Sequence, residues 1–275
     1  RQMCIRDRIN CESGLLQYTE AGDYIIAESS PKNLYTYCVR AQIIQELFAQ
    51  SNAKPTGLSI DEIRTLTPAF FSFCQTSLEG NSDKVRLLLE IVGYCLSDSN
   101  SAKSFFLLMG APGCGKSILA SFLTRLLGEE VISNLPIQEF GKEFSRAALV
   151  GKKANIASDM SSNSLGDISF IKAITGSDRI TAAYKGRDSF SFLCRAKLFF
   201  TGNIMPTIRE NDATHSFYQR MVVLYFPKSI DKDLQNKNLL DELWSERNII
   251  FTLAIIAFLE LRQRNYQFTM PVSSH

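Results

Sequence analysis

The sequence predicts an α/β fold, in which a mostly parallel sheet is covered by helices, with a small helical region before it and helices after it. Short apolar runs alternate with helical patterns, the runs at residues 104–109, 154–158 and 197–201 and the helices at 115–127 and 168–175. Such alternation is typical of parallel sheets whose strands are connected by helices. The first apolar run ends in glycine before an amphipathic helix, which indicates a buried strand at that point.

The composition limits the class of protein. The 275 residues are 45% hydrophobic and 21% charged, which excludes wholesale disorder, collagen-like repeats and disulfide-stapled miniproteins. A net charge of +2 means that any nucleic-acid-binding surface must be local. Seven cysteines without a C-x-x-C pair and only two histidines favour neither a disulfide framework nor a zinc site. Reduced thiols in the cytoplasm are expected.

Four regions are predicted along the chain. Residues 1–12 lack periodicity and are interpreted as a linker or a non-native segment, 13–100 as a mainly helical domain, 101–228 as a phosphate-loop core and 229–275 as a C-terminal helical segment. The polar run SDSNSAK marks the start of the core. The chain is expected to be part of a longer protein.

Three stretches outside the core have clear patterns. Residues 35–50 and 83–96 have apolar side chains at helical spacing. The longest apolar run, 249–259, is shorter than the roughly 20 residues that span a bilayer. It is interpreted as a buried core helix, and no membrane partner is expected.

The segment GAPGCGKS at residues 110–117 fits the phosphate-loop pattern G-x-x-x-x-G-K-[ST] and lies between a strand and a helix. Glycines let the backbone approach phosphate oxygens, and consecutive N–H groups at the helix N-terminus attract negative charge. Lys116 is expected to bridge the terminal phosphates and Ser117 to hold Mg²⁺. The alternative is a glycine-rich turn with an incidental lysine. The predicted nucleotide-binding residues are Gly110, Ala111, Pro112, Gly113, Cys114, Gly115, Lys116 and Ser117.

Three polar residues further along the chain are candidates for catalysis. Asp159 follows an apolar strand, where an acid completes the Mg²⁺ shell and orients water; its alternative role is to cap the next turn. Asn203 ends the strand KLFFTGN and is suited to polarise water, or is a turn residue. Arg220 is a candidate arginine finger for a neighbouring subunit, or the member of a surface ion pair.

These motifs, in this order, resemble the superfamily 3 helicases, and within them the helicase part of the primase-helicases of phages, plasmids and large viruses. The resemblance runs from about residue 78 to residue 271 and includes SFFLLMGAPGCGKS, ANIASD, IKAITGSDRITAAYKGRDSFSF and KLFFTGN. It implies an AAA+-type core, ATP and Mg²⁺ as cofactors, and a homo-hexamer that translocates 3′-to-5′ on single-stranded DNA. A primase domain or partner upstream is compatible with it.

The resemblance also implies roles for individual residues. Lys116, Asp159, Asn203 and Arg220 are the implied catalytic residues, and Ser117 and Asp159 the implied Mg²⁺ ligands. The family more often has Glu at the position of Asp159, a further acid at that of Ser161 and an arginine at that of Gln219. Nucleotide binding is therefore the firmer implication, and water activation by Asp159 the weaker one.

The block IKAITGSDRITAAYKGRD corresponds to the hairpin that projects into the channel in this family. Gly186 suits a tight turn, while Lys185 and Arg187 offer positive charge to a phosphate backbone. The predicted DNA-binding residues are Lys172, Tyr184, Lys185 and Arg187. The alternative is a solvated hairpin tip with ordinary surface charges.

Three other functions stay open. A P-loop phosphotransferase would be a monomer without stimulation by DNA. A nucleotide-regulated loader or packaging ATPase would bind DNA without displacing a strand. A degenerate, non-catalytic fragment would bind nucleotide without turnover.

Overall fold

A small antiparallel sheet precedes the first helices of the structure, a computed structural model that describes residues 8–18, 24–28, 35–53, 60–160, 168–205 and 215–271. Its strands β1 (Arg8–Cys11), β2 (Gly14–Tyr18) and β3 (Tyr24–Ala27) pair in sequence order. Residues 8–11, within the segment interpreted as a linker or a non-native segment, thus form a strand, and residues 14–18 and 24–27 are strands within the region expected to be mainly helical. Each strand has only four or five residues, too few to give a clear alternating pattern.

Four helices follow: α1 (Gln45–Ala53), α2 (Ile60–Leu66), α3 (Pro68–Leu78) and α4 (Ser82–Leu96). The helix predicted over 35–50 begins only at Gln45, because Val39 is paired with Cys11 of β1 instead. The helix predicted over 83–96 is confirmed by α4, and the Asn81 side chain caps it by accepting a hydrogen bond from the Lys84 N–H at 3.0 Å.

Seven strands complete the sheets: β4 (Phe105–Gly110), β5 (Ile132–Ser133), β6 (Ala154–Met160), β7 (Arg179–Ala183), β8 (Ser189–Leu193), β9 (Lys197–Gly202) and β10 (Met221–Phe226). Five of them form a parallel sheet in the order β10-β4-β9-β6-β5, and β7 and β8 form a separate antiparallel hairpin. Strands β4 and β9 are buried along their whole length, as continuous apolar runs predict for a sheet covered on both faces. The predicted α/β class with a parallel sheet is confirmed.

The remaining helices are α5 (Lys116–Leu127), α6 (Glu143–Arg146), α7 (Ser169–Gly176), α8 (His215–Tyr218), α9 (Leu239–Ser245) and α10 (Arg247–Gln263). Helix α10 buries the apolar run predicted as a core helix. A search of the described residues finds no helix that combines the length and the apolarity needed to cross a bilayer.

One large hydrophobic core joins the N-terminal strands, the helices and the sheet. It includes Ile9 of β1, Leu88 of α4, Leu123 of α5 and Phe251 of α10, all nearly inaccessible to solvent. Residues 13–100 therefore do not pack as a separate unit, because their apolar side chains share this core with the sheet and with the C-terminal helices. A second core on the other face of the sheet includes Phe217.

Helices α4 and α10 are in unusually close contact at Gly93. A Cβ atom built on Gly93 would lie 2.1 Å from the backbone oxygen of Ala254 and 2.8 Å from Cβ of Phe258. Neither atom is the end of a flexible side chain, so the two helices can accommodate a methyl group only by moving apart.

We expect Gly93→Ala to lower the free energy of unfolding by about 2–3 kcal/mol, because overpacking at this contact outweighs the better helix propensity of alanine. Chemical denaturation followed by circular dichroism measures the change. Gly141→Ala is the matched control, since a Cβ there meets no atom within 4 Å. Equal stabilities for the two variants would contradict the close contact.

Candidate functional site: a nucleotide cavity and a basic hairpin

A cavity of about 540 Å³ lies at the carboxyl edge of the parallel sheet. We call it the nucleotide cavity. Three parts of the chain form its walls, namely the phosphate loop (residues 110–117) with the start of α5, the ends of β6 and β9, and the segment after β10. The lining residues outside the loop include Ser158, Thr201, Gly202, Asn203, Ile230, Gln235, Asn236 and Leu239. Ligands of open α/β sheets bind at this edge.

The phosphate loop has the backbone shape that its glycines allow. Gly110, Gly113 and Gly115 have φ angles of 153°, 75° and 100°, in the region that side chains disfavour. A Cβ on Gly110 would lie 2.3 Å from the Phe226 oxygen, and one on Gly115 would lie 2.7 Å from Oγ of Ser77. The loop is thus held tightly between β10 and α3, and it leads directly into the N-terminus of α5.

Lys116 folds back over its own loop. Its Nζ donates hydrogen bonds to the backbone oxygens of Gly110 at 2.7 Å and Ala111 at 2.8 Å, and lies 3.2 Å from Sγ of Cys114. Lys116 is buried in this position, with 7% of its surface exposed to solvent. The Cys114 thiol is buried as well.

The other predicted site residues of the carboxyl edge are grouped around the loop. Ser117 and Asn203 line the nucleotide cavity, and Ser158 lines it one residue before Asp159. Asp159 lies in β6, where the pairing with β9 shifts register between Ala157 and Met160; its side chain is outside the described part of the structure, as is Ser161. Register shifts of this kind are frequent next to active sites, because they redirect a side chain.

The residues present fit Mg²⁺ bound together with a nucleotide. Magnesium is usually held by one or two protein oxygens together with substrate phosphates and water. Within the described ranges, no group of three or more His, Cys, Asp and Glu side chains is suited to hold a metal alone. Ser117 lines the nucleotide cavity and offers a hydroxyl of this kind, and Asp159 as the second ligand stays a prediction.

Arg220 is not part of this group. It directly precedes β10, whose Met221 pairs with Phe105 and whose Phe226 pairs with Gly110, so Arg220 lies roughly 20 Å from the loop, at the amino edge of the sheet. Its Nη1 donates to the Ser216 backbone oxygen at 2.6 Å. No ion pair joins Arg220 to a carboxylate of the described residues, so the surface ion pair considered for it is not seen there.

Part of the nucleotide cavity was not predicted from the sequence. Ser229 Oγ donates to the Pro112 oxygen at 2.6 Å, and the Ile230 N–H donates to the Gly113 oxygen at 3.2 Å. The following residues Gln235 and Asn236 bring side-chain amides into the cavity wall. Amides donate and accept hydrogen bonds, as the edge of a nucleobase does. No local motif marks this polar, irregular segment.

The hairpin of β7 and β8, which we call the basic hairpin, carries three of the predicted DNA-binding residues at its tip. Gly186 has φ 75°, and Lys185 and Arg187 are exposed. The Tyr184 ring stacks on Phe190 with centroids 5.2 Å apart and remains 46% exposed. Lys172, the fourth predicted residue, lies half-buried on α7 rather than on the hairpin.

Comparisons with known proteins find similar sequences over this part of the chain. A family of unknown function, DUF5906, matches residues 108–220, a range that contains the phosphate loop, β6, the basic hairpin and Arg220. The protein L207/L206 of Acanthamoeba polyphaga mimivirus, which is named as a helicase, is 30% identical over 146 residues. The match covers 50% of this chain but 15% of the mimivirus protein, so the chain corresponds to a small part of that relative.

Solved structures share the fold. Two apo structures of the C-terminal region of NrS-1 superpose with TM-scores of 0.52 and 0.55 at 13% identity. Each covers 74% of this chain, and the chain covers 51% and 52% of theirs. At this identity the likeness is one of fold, and it covers more of the chain than the family match does.

Proposed function

We propose that this chain is an ATP-hydrolysing helicase module of a replication protein, of the superfamily 3 type with an AAA+ core. One observation carries the proposal: the nucleotide cavity brings together the phosphate loop, Asn203 and the end of the strand that contains Asp159. The similarity to a mimivirus protein named as a helicase supports it.

Each residue of the cavity has a distinct task in this proposal. The loop N–H groups and Lys116 bind the phosphates, which requires Lys116 Nζ to leave the carbonyls of Gly110 and Ala111. Ser117 and Asp159 hold Mg²⁺, which when bound neutralises charge on the phosphate oxygens. Asp159 and Asn203 orient the attacking water. Since Asn203 is exposed at the mouth of the cavity, it is free to contact a γ-phosphate.

A second subunit is needed to complete the site. Arg220 lies at the amino edge of the sheet, about one strand length from the loop of its own subunit. We propose that it contacts the nucleotide of the neighbouring subunit in a homo-hexamer, where an arginine stabilises transition-state charge. We also propose a primase domain or partner acting with this module.

The basic hairpin is proposed to hold single-stranded DNA. Lys185 and Arg187 are exposed on either side of Gly186, and Tyr184 retains exposed ring surface on its Phe190 support. Positive charge beside an aromatic ring is the usual means of binding a single strand without sequence preference. Lys172 on α7 would contribute further charge.

A cytoplasmic location is supported by the free thiols of the described cysteines.

ATP turnover with and without single-stranded DNA, measured at several protein concentrations, tests the proposal. We expect DNA to stimulate turnover, and specific activity to rise with protein concentration because the site lies between subunits. A flat, DNA-independent rate would favour a phosphotransferase. Stimulated turnover without strand displacement would favour a loader.

Lys185→Ala with Arg187→Ala separates the DNA surface from the ATP site in the same assay. The double variant is expected to keep basal turnover but to lose stimulation and the salt dependence of DNA binding. Lys142→Ala with Lys103→Ala is the control, since it removes two exposed lysines elsewhere. Unchanged DNA binding in the hairpin variant would refute the role of the hairpin.

A further inference from the structure

A second cavity, of about 380 Å³, lies at the edge of the sheet opposite to the nucleotide cavity. We call it the basic cavity. Its walls include Lys153 directly before β6, Arg195 two residues before β9, and Val131 directly before β5. Because these strands are parallel, all three residues lie at the amino edge, roughly 20 Å from the phosphate loop. The two cavities are therefore separate sites.

One buried ion pair forms the floor of the basic cavity. Lys153 Nζ contacts the Asp98 carboxylate closely and donates to Tyr37 Oη and the Ser97 backbone oxygen, both at 2.8 Å. Burial raises the pKa of Asp98, but the charge of Lys153 and the hydrogen bonds from Lys153 and Tyr37 outweigh burial and hold that pKa below its ordinary value. Asp98 is thus ionised, and its carboxylate is paired with Lys153.

Three more cations line the basic cavity without a carboxylate of their own. Arg195 is exposed, Arg8 lies close to the Tyr35 hydroxyl, and Lys152 Nζ donates to the backbone oxygen of Glu130 at 2.8 Å. None of the three forms an ion pair with a carboxylate in the described ranges. Among the described residues that line the cavity, Asp98 is the only acid, and it is already paired, so the cavity attracts anions.

An aromatic ring lies beside these cations. Tyr35 lines the cavity half-buried, and its ring meets Tyr37 edge-on with centroids 5.8 Å apart and an interplanar angle of 87°. Tyr37 is itself fixed, since its Oη donates to Asp98 at 2.9 Å and its ring lies 4.5 Å from Lys153 Nζ. A held ring next to guanidinium groups suits a base together with its phosphate.

The base of the basic hairpin forms part of the wall of the basic cavity. Leu193, the last residue of β8, lines the cavity and pairs with Arg179, the first residue of β7. Arg179 is exposed and donates to the Ser191 oxygen at 2.7 Å. The hairpin thus carries an exposed arginine at its base, next to the cavity, and Lys185 and Arg187 at its tip, with the exposed acids Asp178 and Asp188 beside them.

We propose that the basic cavity binds one nucleotide unit of a single strand that runs along the basic hairpin. The phosphate pairs with Arg8 and Arg195, and the base lies against Tyr35. The identity of the strand rests on the proposed function, whereas the recognition of a phosphate and a base rests on the cavity alone.

Binding of a fluorescently labelled dT15 oligonucleotide to the full chain, without ATP and with EDTA, tests the proposal over a range of salt concentrations. Each lost phosphate contact is expected to reduce the slope of log K against log salt by about 0.7. Arg195→Ala is thus expected to flatten the slope by about 0.7, and Arg8→Ala with Arg195→Ala by about 1.4. Tyr35→Leu is expected to weaken binding roughly tenfold at an unchanged slope.

Arg40→Ala is the matched control for Arg195→Ala. Arg40 is also an exposed arginine, but it pairs with Glu130 at 3.2 Å and does not line the basic cavity. Equal affinities and slopes for Arg40→Ala and Arg195→Ala would overturn the proposal. Thermal unfolding of each variant verifies that the fold is intact.

A second experiment, with a free mononucleotide, distinguishes a site for a nucleotide unit of a DNA strand from a site for a free nucleotide. Binding of dTMP is measured by calorimetry in a Lys116→Ala background, so that the nucleotide cavity does not dominate. If Arg195→Ala abolishes dTMP binding but leaves dT15 binding unchanged, the strand assignment is overturned. A chain that binds dT15 through this cavity yet hydrolyses no ATP would refute the proposed function and support the present inference.

Discussion

Replacing Lys116 by alanine is expected to reduce ATP turnover by about 10²–10³-fold or more, because a charged donor aimed at the phosphates is lost. Nucleotide affinity should fall as well. Steady-state hydrolysis and titration with a fluorescent ATP analogue measure the two effects. Turnover at the wild-type rate in Lys116→Ala would remove the assignment of residues 110–117 as a phosphate loop.

The control for this variant must separate the loss of a charge from a change in the loop itself. Lys142→Ala removes an equal charge from the surface, where Lys142 pairs with Glu139 at 2.6 Å, and should leave turnover unchanged. Lys116 Nζ also satisfies two loop carbonyls in the absence of ligand. Thermal unfolding of Lys116→Ala will show whether the loop depends on those bonds.

Replacing Arg220 by alanine is expected to reduce turnover by about 10³-fold, the lower end of the range for arginine fingers. Nucleotide affinity should change little, because Arg220 is remote from the nucleotide cavity of its own subunit. Gln219→Ala is the neighbouring control, since Gln219 is exposed and contacts the ring of His215. A normal rate in Arg220→Ala would contradict the proposed role.

Mixing the two inactive variants tests whether Arg220 acts on a neighbour. The Arg220→Ala subunit has an intact loop, and the Lys116→Ala subunit has an intact arginine. Where the two meet in the right order, the interface contains a complete ATP site. In a random one-to-one ring, roughly a quarter of interfaces have this arrangement, so about that fraction of activity should return. No recovery on mixing would mean that Arg220 acts within its own subunit, or only on its structure.

Local patterns predicted the elements of the core but not their arrangement. Strands β4, β6 and β9 and helices α5 and α7 were predicted from apolar runs and helical spacing, and the structure confirms them to within a few residues. The two-residue strand β5 and the short strands β1 to β3 have too few residues to show a period. The sheet order, with β9 between β4 and β6, depends on packing between distant segments.

The same distinction applies to the sites. The phosphate loop has a contiguous motif, and Asn203 ends a predictable strand, so both were identified as candidates from the sequence alone. Gln235 and Asn236 lie in an irregular polar segment without a motif. The basic cavity is assembled from Arg8, Tyr35, Lys153 and Arg195, which are far apart in the chain. The catalytic and DNA-binding roles stay predictions until the variants are measured.

The position of β4 between β9 and β10 in the sheet has a consequence for synthesis on the ribosome. Its two neighbours are β9, which begins at Lys197, and β10, which begins at Met221. After β4 and α5 have been released, roughly 70 further residues must be made before β9 begins to emerge, and more than 90 before β10 does. Such long loops close slowly. During that interval the buried faces of Phe106 and Leu108 have no partner strand, so this module is expected to need chaperone protection until β10 is complete.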